Sequence, residues 1–268
     1  MDPQSQYVQQ ILASLGFAAE IIPEDPSKRR ADLKISDASY TTYIEVKSRL
    51  LDERAKKVID SATPGGPIVT YSGEAGKQNH FSSLVQNANE QLSETAGERD
   101  YRVLWFLATA VPEFVAADEQ MQATLLGIRH VFCKRAGENK YLPCYYAGYG
   151  DFYRYKDIDG AIIQNKEGAV LLVNEFSPRA VGFRESALCA FFTQKKAVRI
   201  PSQEDTKGGA FVVDGDVNRK DEKQVLEYLR NKYPEVEFLG ITDSKVAAAI
   251  GIAKNKPPST RLGSGLDS

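Results

Sequence analysis

Apolar residues at Tyr7, Ile11, Leu12 and Leu15 recur every three to four positions and stop at Gly16, which predicts a helix over Ser5–Leu15. The period then changes. Phe17–Ile22 reads as a short strand ended by Pro23 and the polar run Glu24-Asp25-Pro26-Ser27. Ala31–Ser36 predicts a second strand and Thr41–Ser48 a third, the latter dense in β-branched and aromatic residues. From Leu51 to Lys77 the chain is polar and glycine-rich, and Pro64-Gly65-Gly66-Pro67 marks a loop. Helical spacing returns at Phe81, Leu84, Val85, Ala88 and Leu92. Tyr101–Thr109 is almost unbroken apolar sequence, as expected of a central strand covered on both faces.

A helix over Asp118–Leu126 and a strand over Ile128–Cys133 follow. This order predicts an α/β protein, a mixed central sheet flanked by helices. Farther on, Ala161–Ile163 and Ala169–Asn174 predict a hairpin across Asn165-Lys166-Glu167-Gly168, followed by the apolar stretch Ala187–Phe192. A strand at Ala210–Val213, a helix turning Val225, Leu226 and Leu229 inward, a strand at Val236–Ile241 and a last helix capped by Thr242 or Asp243 complete the pattern. The core is thus expected over residues 1–200. A βαβα lobe or sheet extension is expected over 201–253 and a mobile tail, rich in Pro, Gly and Ser, over 254–268.

Composition removes several classes of function. The 268 residues are 42% apolar and 26% charged, a globular balance rather than a disordered one. A chain this long buries roughly 75% of its unfolded surface and needs no disulfide or metal staple. The three cysteines, Cys133, Cys144 and Cys189, are odd in number and scattered, which points to a reducing compartment and, by default, the cytoplasm. With two histidines and no paired Cys motif, a zinc site is not expected. No apolar run reaches the roughly 18 residues of a membrane span, and Met1-Asp2-Pro3-Gln4-Ser5-Gln6 has no signal-peptide character, so no membrane partner is expected.

Candidate chemistry lies in Arg29-Arg30-Ala31-Asp32-Leu33-Lys34-Ile35 and Tyr43-Ile44-Glu45-Val46-Lys47-Ser48-Arg49. Side chains alternate faces along a strand. Pairing the apolar faces of Leu33/Ile35 and Ile44/Val46 therefore brings Asp32, Glu45 and Lys47 together. Two carboxylates can hold Mg²⁺, which keeps waters and accepts a phosphate oxygen. Such an ion polarises phosphorus and acidifies a bound water, and an adjacent lysine orients that water or offsets developing charge. The plain alternative is a strand face carrying a surface ion pair.

At these residues the sequence resembles the PD-(D/E)XK nuclease superfamily, in which a helix and strands lead to an acidic residue and then to Glu-x-Lys on the next strand. The matching positions are Asp32 and, thirteen residues on, Glu45-Val46-Lys47, within a motif region over residues 5–110. The resemblance implies a restriction-endonuclease-like core with a C-terminal α/β elaboration. It also implies Asp32 and Glu45 as metal ligands, the Val46 carbonyl as a third, Lys47 as the catalytic lysine and Gln86 as the glutamine some members carry on the second helix. Mg²⁺ would be the cofactor, with Mn²⁺ able to substitute. Ala31 replaces the proline of the family name, and the first helix offers Gln9 and Gln10 rather than the glutamate of many members, the nearest acid being Glu20.

The expectation is a Mg²⁺-dependent nuclease hydrolysing phosphodiester bonds, DNA foremost. Its rival is an inactive nuclease-fold protein serving as a nucleic-acid-binding or assembly module, and a homodimer is allowed. Charge agrees locally. Lys28 to Lys57 holds nine basic and five acidic residues, a net +4 within a chain of net −2. Arg29, Arg30 and Arg49 are thus expected to contact phosphates. The six aromatics between Tyr145 and Tyr155 are a second candidate surface, for base stacking. Gly73-Glu74-Ala75-Gly76-Lys77-Gln78 lacks the residues of a phosphate loop, and with Gly65 and Gly66 is expected to cover the site as a flexible loop.

Overall fold

The computed structural model describes residues 2–25, 27–37, 40–48, 57, 61, 69–74, 76–77, 79–110, 116–243 and 245–250. The first helix, α1 (Pro3–Ser14), opens with Asp2 accepting from the Ser5 amide at 3.0 Å and with proline at its first position. Both features satisfy or remove orphan N–H groups at a helix start. A short strand, β1 (Ala19–Ile21), runs antiparallel to β2 (Leu33–Ser36), and β2 runs antiparallel to β3 (Thr41–Ser48). Beyond β3 lie β5 (Tyr101–Leu107) and β8 (Gly160–Gln164), all three parallel. The sheet ends with β9 (Ala169–Val173), antiparallel to β8, and β10 (Val198–Arg199), giving the seven-stranded order β1-β2-β3-β5-β8-β9-β10.

β5 lies at the centre and every residue in it is buried. Tyr101, Val103, Trp105 and Leu107 enter the core that α1 shares with α5 (Ala180–Arg184) and α6 (Ala187–Gln194). Leu104 and Phe106 enter the opposite core, under α2 (Asn79–Thr95) and α3 (Ala117–Leu126). Trp105 keeps its indole N–H satisfied through Gln164 at 2.9 Å. Truncating it to alanine would cost about 3–5 kcal/mol.

A second sheet has the order β11-β7-β6-β12. Its centre is the hairpin of β6 (Arg129–Arg135) and β7 (Glu138–Tyr146), closed by Ala136 and Gly137 at φ +50° and +83°. Two positive φ values make the primed turn that suits hairpin twist. β11 (Phe211–Val213) and β12 (Glu237–Thr242) flank the hairpin, and α8 (Glu222–Lys232) covers one face. Between β10 and β11 lies the short α7 (Pro201–Thr206), and α4 (Asp151–Arg154) precedes β8. The residues expected to form a C-terminal lobe therefore complete a sheet that begins at Arg129.

One predicted element is overturned. The helix expected after Thr242 or Asp243 is instead β13 (Lys245–Ile250), antiparallel to β4 (Val69–Glu74). β-branched and small residues such as Val246 and Ala247–Ala249 follow the partner available in space, because local propensity is a weak prior against sheet pairing. Among the described residues no helix is long and apolar enough to cross a membrane.

Candidate functional site

Asp32 occupies a bend one residue ahead of β2. Its N–H donates to the Ile44 carbonyl at 3.1 Å, and its carbonyl accepts from Ile22 at 2.8 Å. The β2–β3 register ends at Leu33↔Ile44. The Asp32 carboxylate then takes the next N–H on that edge, accepting from Val46 at 2.8 Å. Residues two apart on a strand face the same edge, so the Val46 carbonyl lies on the edge that carries Asp32.

Glu45 follows Ile44 on β3 with only 1% of its surface exposed. Lys47 donates to its Oε1 at 2.6 Å, while Oε2 is buried with no donor among the described residues. Burial, with Asp32 adding repulsion and a hydrogen bond that favours the protonated form, pushes the Glu45 carboxyl up from 4.5 to about 8, and Lys47 offsets part of this. Burial also raises the Asp32 carboxyl, although its bond from Val46 and the Lys47 charge pull the other way. The structure thus brings together Asp32, Glu45, Val46 and Lys47.

Gln86 is elsewhere. It is exposed on α2 and donates to Glu90 at 3.1 Å. The glutamine at the lysine is Gln91, whose Oε1 accepts from Lys47 at 2.7 Å while its amide nitrogen donates to the Arg30 carbonyl at 3.2 Å. The signal was present in the sequence: Gln91 lies three residues after the buried Ala88, whereas Gln86, although next to Val85, lies three residues after the exposed Ser83. The first helix also contributes differently from the expectation. Gln9 donates to the Ala19 carbonyl, and Glu20 pairs with Lys34. At the start of α1, Ser5 lowers the Asp32 carboxyl and the charge of the N-cap Asp2 raises it, while the Ser5 hydroxyl itself donates to Asp2 at 3.0 Å. The helix begins at Pro3 rather than at the expected Ser5, and the overlooked signal was Asp2-Pro3, an N-cap followed by proline.

The donor set fits a divalent ion. Burial raises both carboxylates, Asp32 raises Glu45 further, and one buried carboxylate oxygen has no donor among the described residues. Among the described residues no three acidic, His or Cys side chains form a complete cage. Waters or substrate oxygens would therefore complete the shell, as Mg²⁺ prefers.

Other candidates separate. Arg29 pairs with Glu90, and Arg30 with Asp25 at 3.0 Å. Arg49 and the glycines Gly65 and Gly66 lie outside the described residues. Tyr145, Tyr146 and Phe152 are core residues, leaving Tyr149 and Tyr153 as the well-exposed rings of that segment. Gly73 and Glu74 belong to β4, and Lys77 donates to the buried Asp151 at 2.6 Å and to the Tyr149 carbonyl at 2.9 Å. No protein-family model, curated protein or solved structure matches this chain.

Proposed function

We propose that this chain is a Mg²⁺-dependent phosphodiesterase acting on nucleic acid, DNA foremost, with a restriction-endonuclease-like core. One observation carries the reading: a fully buried glutamate, with one oxygen to which no described residue donates, lies against a second carboxylate and a lysine. A structural ion pair would satisfy both of its buried oxygens. Asp32, Glu45 and the Val46 carbonyl would hold the ion. A divalent ion there supplies positive charge to a phosphoryl oxygen and acidifies water at neutral pH. Lys47, held by Glu45 and Gln91, would orient the attacking water and offset charge on the phosphoryl oxygens. Asp32 is itself held by Val46, so the carboxylate is positioned before substrate arrives.

The test is incubation of purified protein with labelled single- and double-stranded DNA and RNA in Mg²⁺, Mn²⁺ or EDTA. Cleavage in the metals and none in EDTA is expected. Cleavage that persists in EDTA, or none under any condition, overturns the reading, and binding without cleavage would favour the inactive module.

A further inference from the structure

A cleft of about 430 Å³ opens between β1, β2, β3 and the end of α2, and neither Asp32 nor Glu45 lines it. Four cations line it, Lys28, Arg29, Arg30 and Lys34, against two acids, Glu20 and Glu94. Tyr43 and Thr95 also line it, and each ties it to the site. Tyr43 precedes Glu45 by two residues on β3, so both face α2 from the same side of the strand, about 6.8 Å apart along it. Thr95 lies one turn beyond Gln91 on α2 and accepts from the Ala31 N–H at 2.8 Å, next to Asp32.

Three of the four cations of this cleft are already engaged, and the way they are engaged is informative. Lys34 pairs with Glu20, Arg30 with Asp25 and Arg29 with Glu90, all through side chains at least partly open to water. Exposed ion pairs between long side chains contribute little stability. An incoming phosphate can therefore displace these carboxylates without disturbing the fold.

We infer that this cleft is a second phosphate site that takes one nucleotide of a single, unpaired nucleic-acid strand. Glu20 and Glu90 hold the cations in place until that strand arrives. The inference rests on the phosphodiesterase reading and adds the strand and its path to it. Scale supports a single strand. At about 430 Å³ the cleft has room for about one nucleotide, and a base can stack on the Tyr43 ring only when it is unpaired. One strand of DNA carries a phosphate about every 3.4 Å of helix axis, so a strand at the carboxylates reaches the cleft within one or two nucleotides. Tyr43 offers a ring to the accompanying base.

The experiment is fluorescence anisotropy of labelled oligonucleotides in EDTA at several salt concentrations, single-stranded and duplex arms in parallel, with a separate Mg²⁺ cleavage assay. Replacing Lys28, Arg29 and Lys34 together by alanine should weaken single-strand binding about tenfold or more. It should also flatten the log–log salt slope by about 0.7 for each phosphate no longer neutralised. Glu20→Gln with Glu90→Gln should move affinity the other way, tightening single-strand binding, which a merely destabilised fold cannot do. Wild-type affinity and slope in the alanine variant overturn the cleft. If wild-type protein still cleaves in Mg²⁺, the phosphodiesterase reading survives that result. Equal effects on duplex and single strand overturn the single-strand assignment. Wild-type protein that neither cleaves in Mg²⁺ nor binds in EDTA overturns both.

Discussion

Two buried carboxylates lie along the same parallel strands β3, β5 and β8, Glu45 level with Leu104 at the middle of β5 and Asp159 just ahead of β8, and the chain serves them differently. Asp159, just before β8, accepts from the Arg102 amide at 2.8 Å, from Arg179 at 3.1 Å on each oxygen and from the Ser177 hydroxyl. Glu45, in the middle of β3, accepts from Lys47 on one oxygen and from no described residue on the other. Burial lifts both carboxyls above their ordinary range. At Asp159 every cost of burial is met by a donor, and the result ties the start of β5 to the turn after β9. At Glu45 the demand is left partly open, with a second carboxylate added to it. Burial alone therefore does not mark a site; an unmet demand for positive charge does.

Substitutions at the two acids should give opposite phenotypes. Asp32→Ala, Glu45→Gln and Lys47→Arg should each lower Mg²⁺-dependent cleavage by about 10²–10³-fold or more, the worth of one charged group at a reacting centre. Arginine fails at position 47 because its planar fork cannot fill the space between Glu45 and Gln91 or release a proton readily. Asp32→Ala and Lys47→Arg should melt near the wild-type value at neutral pH, and Glu45→Gln at or above it. Asp159→Ala should instead destabilise the fold by about 3 kcal/mol, since it strands Arg179 without its partner, while cleavage persists below the melting point. Turnover and thermal melts measured together decide the matter. An unfolded Glu45→Gln beside an intact Asp159→Ala would reverse the comparison.

The next effect is one of pH. Glu45 has its folded-state value near 8 against 4.5 as its ordinary value, so between these limits the folded protein holds a proton that the unfolded chain has lost. Metal-free stability should then fall as pH rises from about 4.5 to about 8, by a few kcal/mol at most. A divalent ion competes with that proton, so Mg²⁺ affinity and cleavage should rise over the same interval. Glu45→Gln removes the titrating group, and its stability should be the flatter of the two in EDTA melts across this range. Parallel curves for the two proteins would show that Glu45 is ionised throughout.

The sequence carried the parts of this arrangement that depend on strand alternation. Leu33 and Ile35 do share a core with Ile44 and Val46, and the hairpin from Ala161 to Asn174 forms as its alternation predicts. Three features were not legible. Whether Lys245–Ile250 is helix or strand depends on β4, some 175 residues earlier in the chain. The β6–β7 hairpin was hidden by its turn, because Ala136 at positive φ lacks the Asn-Gly or Asp-Gly signature. The tyrosines near Tyr145 looked like a binding surface because composition cannot say which face of β7 the rest of the fold will cover. Asp32 was placed correctly beside Glu45, yet its bend and its bond to Val46 are matters of register that only the folded backbone supplies.

The smallest effect separates two glutamines on one helix. Gln91 bridges Lys47 to the Arg30 carbonyl, so removing it frees the ammonium to swing without removing its charge. Gln91→Ala should lower turnover about tenfold, short of the hundredfold that a 1 Å misplacement at a reacting centre can cost. Because Gln91 acts through Lys47, the decrease should fall on kcat more than on KM, and Gln91→Glu, which keeps an acceptor oxygen, should recover part of it. Gln86 is exposed and its side chain donates to Glu90, away from the lysine, so Gln86→Ala should leave turnover unchanged and stability within about 0.5 kcal/mol. Steady-state kinetics of the three variants on one substrate would distinguish the positions. A decrease at Gln86 with none at Gln91 would mean that α2 meets the substrate through its outer face, and that Lys47 needs no second anchor.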